Sequence, residues 1–164
     1  MMGSSLDPIP LVRRVELARF MGDWYVIAHV PTFIDRDGHN QVESYRLTDD
    51  GKVATRFTFR KDSFDGKEKL YTPTGYVREG SNNALWGMQF IWPIKGEYRI
   101  VHLEPDYSAT IVGRNKRDLV WLMSRQPQMS EADYEGYRKL IAGMGYDLSK
   151  LVRVPQRWPQ TSKD

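Results

Sequence analysis

The chain of 164 residues contains no cysteine. That absence excludes disulfides, thiolate metal sites and thiol nucleophiles together. No hydrophobic run approaches the about 20 residues that a membrane-spanning helix requires. Histidine is scarce, at three residues, and the His-Glu-x-x-His, phosphate-loop, dinucleotide-glycine and Gly-x-Ser-x-Gly patterns do not occur. The adjacent acids Asp49-Asp50 read as turn formers, so the residues predict no enzyme, no metal and no cofactor. Neither sign of charge dominates: 24 basic and 21 acidic residues leave a net charge of +3, with the basic residues dispersed. A nucleic-acid partner, which needs a basic stripe, is therefore not expected. Residues 1–14 lack the basic start and apolar middle of a secretory signal. Met1-Met2-Gly3-Ser4-Ser5 is similar to the start of an expression tag, and 1–14 read as a leader ahead of the folded unit.

What is present is a series of short alternating strands. Trp24 to Val30 forms the first and Pro31 stops it; residues 32–41, rich in Asp, Gly, His and Asn, read as a loop with Asp35 and Asp37 solvated. Val42 to Leu47 leads through a turn containing Asp50-Gly51 into Val53 to Arg60, where Val53, Thr55, Phe57 and Phe59 alternate with Ala54, Arg56, Thr58 and Arg60. Lys69 to Val77, carrying Pro73, is a fourth strand. Leu85 to Trp92 is a fifth, with Trp86, Met88, Phe90 and Trp92 on one face, and Pro93 to Gly96 turns the chain. Tyr98, Ile100 and His102 alternate in a sixth. Tyr107 to Gly113 and Leu119 to Arg125 complete eight strands at regular spacing, the pattern of an up-and-down antiparallel barrel.

A single helix follows. Ser130-Glu131-Ala132-Asp133 is a capping signature, Tyr134, Tyr137, Leu140, Ile141 and Met144 share a stripe, and Gly145 ends it. The amphipathic helix is expected to pack on the outside of the barrel. Leu151 to Val154 can add an edge strand, and residues 156–164 form a polar tail.

Over roughly residues 15–155 the chain resembles the lipocalin family, and within it the bacterial lipocalin and apolipoprotein D branch. Gly22-Asp23-Trp24-Tyr25, Pro31, Asp106-Tyr107 and Trp121-x-x-x-Arg125 carry the resemblance, with Pro127 and the capped helix following in order. Two positions depart from it: Pro105 stands where the family usually has Thr, and Val26 where the branch often has an acid.

The resemblance implies that Trp24 and Arg125 close the barrel floor as a structural pair. It also implies that Tyr45, Phe57, Phe59, Trp86, Met88, Phe90, Tyr98, Ile100 and Trp121 face a lumen that holds a small hydrophobic ligand. Alternation alone fits a packed core equally well. The expected function is carriage or storage of a fatty acid, lysophospholipid or similar amphiphile in envelope lipid maintenance, apolar tail down and polar end at the mouth. Binding of a tetrapyrrole or other pigment, with His102 or Tyr98 as partner, is the alternative, and an enzyme using Tyr98 and His102 on the same scaffold is a third; for His102 itself, with no second ligand at a helpful spacing, a satisfied or outward side chain is the favoured reading. The branch implies a periplasmic or outer-membrane setting, with a lipid-anchored membrane tether N-terminal to this sequence; a cytoplasmic setting stays open. A monomer or weak homodimer is expected.

Overall fold

The computed structural model describes residues 6–91 and 94–160, with residues 91, 94 and 95 described by their backbone alone. A four-residue helix α1 (Leu17–Phe20) enters β1 (Gly22–His29), and the chain then meanders through β2 (Gly38–Leu47), β3 (Val53–Lys61), β4 (Glu68–Tyr71), β5 (Thr74–Val77), β6 (Leu85–Ile91), β7 (Ile94–Leu103), β8 (Ala109–Gly113) and β9 (Val120–Ser124). Each strand pairs antiparallel with a neighbour, and β1 pairs with β9, which closes eight strands into a barrel. Closure removes the unpaired strand edges that an open sheet would present.

Two short strands stand outside the closed set. The expected fourth strand is two strands, because Pro73 lies between β4 and β5 and cannot donate to the ladder; β4 pairs with Phe57 to Arg60 of β3, and β5 with Val53 and Ala54. The edge strand expected near residue 152 is β10 (Val152–Arg153), paired with Ala28 and His29. Residues 94–96, expected in a turn, already belong to β7, and Ile91 pairs with Ile94. Trp92 and Pro93 lie outside the described residues.

The helix α2 (Glu131–Gly143) begins as its sequence dictates, with the Ser130 side chain accepting from the backbone N–H of Asp133 at 3.1 Å. Gly145, at φ +99°, supplies the left-handed residue just past its end. Tyr134 and Ile141 are buried against Ile27, Val101, Ile111 and Leu122 on the outer face of the barrel, whereas Leu140 is exposed and leaves the expected stripe. Residues on both flanks also lie along the barrel: Ile9 is buried and its carbonyl accepts from Arg99, and the Gln156 amide donates to the carbonyls of Val26 and Gln41.

Candidate ligand cavity

The lower half of the barrel is filled with rings. Phe20, Trp24, Tyr45, Trp86 and Tyr98 form a contiguous aromatic pile, with Phe20 and Trp24 centroids 5.1 Å apart and Trp86 stacked on Tyr98 at 4.5 Å. Such pairs contribute about 0.5–1.5 kcal/mol each beyond the area they bury. The Trp24 indole N–H donates to the Phe20 carbonyl at 2.8 Å. The Arg125 guanidinium lies 3.8 Å from the centre of the Trp24 ring and donates to the carbonyls of Asp23 and Arg19 at 2.9 and 2.7 Å. Strand, helix α1 and ring are thus held by one cation.

Above this pile the barrel is hollow. A cavity of about 400 Å³ is walled by Phe57 on β3, Met88 and Phe90 on β6, Tyr98 on β7 and Trp121 on β9, and it opens beside Phe33 and Leu119. The nine residues expected to share one lumen therefore divide. Phe57, Met88, Phe90, Tyr98 and Trp121 line the cavity, Phe90 half-exposed at its mouth. Tyr45, Trp86 and Ile100 face inward but are packed in the core beneath, and Phe59 is buried between Phe57 and Tyr71. Period-two alternation reports which face a residue takes, not the height at which the barrel stops being filled.

The sequence reading missed the cavity's most consequential polar group. Glu43 lies on β2 opposite Trp24 on β1 and Phe57 on β3, is only 8% exposed, and lines the cavity just above the aromatic pile. Burial pushes its carboxyl up to about 7, against the lowering effect of a hydrogen bond from Tyr45. The Tyr45 and Tyr98 hydroxyls are 2.6 Å apart. Each phenol has a single hydrogen. With the Tyr45 hydrogen given to Glu43, Tyr98 donates to Tyr45, and the chain ends on the carboxylate. Burial and the nearby Glu43 charge hold both phenols protonated, well above the ordinary tyrosine range. The signal in the sequence was position alone: Glu43 occupies the same phase of β2 as inward Tyr45.

Asp35 corrects a second expectation. It is 4% exposed, not solvated. Its carboxylate accepts from the Thr32 backbone N–H and hydroxyl at 2.6 and 2.9 Å and lies 3.4 Å from Nδ1 of His29. Burial raises its pKa, but the His29 imidazole and the Thr32 donors outweigh that and the net shift is downward. This pins the loop that presents Thr32, Phe33 and Ile34 to the cavity mouth. The loop packs so closely that a Cβ on Gly38 would meet Gln41 Nε2 and Phe59 Cδ2 at 2.9 Å.

His102 lies away from the lumen. A β-bulge between Ile100 and His102 shifts the pairing with β8 and turns the histidine outward. Its Nε2 is 2.7 Å from Glu104, and its ring meets Tyr137 of α2 edge-on. Ligation of a lumenal pigment by His102 is thereby ruled out. Among the described residues no group of three or more His, Asp or Glu side chains is placed to hold a metal ion.

The lipocalin-like domain family matches residues 15–156. Temperature-induced lipocalin-1 of Arabidopsis thaliana is 29% identical over 155 residues, covering 89% of this chain and 82% of that protein. The outer membrane lipoprotein Blc of Escherichia coli K12 is 25% identical over 149 residues, covering 90% and 83%. Among solved structures, insecticyanin from the tobacco hornworm Manduca sexta superposes with a TM-score of 0.73 at 14% identity, over 96% of this chain and 89% of that one, a likeness of fold. A closed antiparallel barrel, a Trp24–Arg125 floor, an outer helix and a match spanning most of the sequence agree: the chain belongs to the lipocalin-like domain family.

Proposed function

We propose that this protein carries or stores a small hydrophobic molecule, of the class that includes fatty acids and lysophospholipids, in its barrel cavity. The observation that supports this reading is the cavity of about 400 Å³ walled by Phe57, Met88, Phe90 and Trp121, within the about 300–1,000 Å³ typical of ligand sites. Each methylene withdrawn from water into such a wall contributes about 0.8 kcal/mol, so apolar contact alone supplies the driving force. The function asks for no catalytic group. An envelope setting is proposed from the similarity to the outer membrane lipoprotein Blc. Native mass spectrometry of the purified protein with organic extraction, followed by titration with a fluorescent fatty acid, tests the reading. A co-purified lipid or saturable uptake supports it; an empty protein that takes up no probe overturns it.

A further inference from the structure

Besides Thr32 and Tyr98, the polar lining of the cavity is four charged side chains, and three of these already have partners of opposite charge or strong donors. Asp35 faces His29 at 3.4 Å, Glu97 holds Arg99 at 3.2 Å, and Arg114 lies 3.1 Å from Asp118. Glu43 differs. Among the described residues no cation pairs with it, and its one protein donor is the Tyr45 hydroxyl. An ionised carboxylate accepts about four hydrogen bonds, so most of the capacity of this cavity-lining group is left unmet by the protein. A buried carboxyl with unmet acceptors is a cost to the fold. A ligand that brings a donor to it offsets that cost.

We propose that Glu43 anchors the polar end of the bound molecule at the cavity floor, and that the ligand is an amphiphile bearing a hydroxyl or ammonium group. This rests on the carrier reading and reverses the orientation expected for a fatty acid. The polar end sits down on Glu43, above the Tyr45–Tyr98 pair, and the apolar body rises along Phe57, Met88 and Trp121 toward Phe90 and Phe33 at the mouth. Above about pH 7, where Glu43 is ionised, a carboxylate-bearing ligand placed the same way would set two anions side by side in a dry wall. Like charges in such a setting disfavour the complex.

The test compares decylamine, decanol and decanoate, equal in chain length, by isothermal titration calorimetry at mildly alkaline pH, on the intact protein and on Glu43→Gln. Decylamine and decanol are expected to bind at least about tenfold more tightly than decanoate, a difference of about 1.4 kcal/mol. Glu43→Gln should weaken decylamine and strengthen decanoate, opposite movements that a merely structural role of Glu43 would not produce. The comparison on the unsubstituted protein stands even if the variant folds poorly. Equal affinity for the three ligands, tightest binding of decanoate, or a preference unchanged in Glu43→Gln would overturn the assignment and leave the carrier reading intact. Failure of all three to bind would overturn both.

Discussion

The guanidinium of Arg125 lies over the indole of Trp24 at 3.8 Å, and this contact joins the last barrel strand to the first at the closed end. The ring is fully buried while the cation faces three backbone carbonyls, those of Arg19, Asp23 and Tyr107. Indole and guanidinium thus perform different tasks: one fills the floor, the other ties the segments around it.

Trp24→Ala empties the floor beneath the aromatic pile and should cost about 3–5 kcal/mol of stability. Arg125→Ala loses the ring contact, about 0.5–2 kcal/mol, together with its carbonyl bonds. Urea unfolding checks both, and the double variant should cost less than the sum, since each residue serves the other. Strict additivity would show that the pair does not act as one closure.

Trp121 stands in the cavity wall and is only partly buried, so Trp121→Ala should weaken uptake of an apolar probe by about tenfold while the fold is retained. Probe titration and thermal unfolding on the same sample separate the effects. Lost stability with unchanged affinity would remove Trp121 from the site.

Glu43 makes stability depend on pH in the direction opposite to most carboxylates. Its folded pKa, about 7, exceeds the ordinary 4.5, because burial, and to a lesser degree the charge of Asp35, disfavours ionisation. Its contribution is therefore complete below about pH 4.5 and fades as pH rises toward 7, by about 3 kcal/mol in all. Glu43→Gln should flatten this part of the stability curve and raise the melting temperature most at alkaline pH. An unchanged curve would show that the carboxyl is ionised without penalty.

Asp35 acts the other way. Its pKa is lowered in the folded protein, so its contribution is present above the ordinary 3.8 and is lost as pH falls through the folded value. Asp35→Asn should cost about 1–3 kcal/mol, the penalty for weakened bonds to a buried acceptor, and speed amide exchange at Thr32 and Ile34. Exchange rates measured by NMR decide whether the loop depends on this carboxylate.

The strand series, its closure and the outer helix were legible because they depend on local periodicities: Val53, Thr55, Phe57 and Phe59 alternate, Asp50-Gly51 turns, and Ser130 caps. The family followed from Gly22-Asp23-Trp24-Tyr25 and Trp121-x-x-x-Arg125 in order. Where locality failed, long-range geometry had intervened. Asp35 looks like a solvated turn residue until the fold brings His29 and Thr32 around it. His102 continues the inward phase of Tyr98 and Ile100 by alternation, yet it is satisfied and outward as favoured from the sequence, because one bulge puts it against Tyr137 and Glu104.

The sequence by itself determined that this chain is a closed barrel with aromatic and aliphatic side chains inside, because hydrophobic alternation and turn chemistry act over a few residues. Only the tertiary structure decided how much of the interior is filled and what stands at the boundary. Five rings pack together to fill the lower half, a hollow of about 400 Å³ remains above, and Glu43 lies between them. Packing height and the neighbours of a buried charge come from strand register across the whole barrel, and no local pattern encodes them.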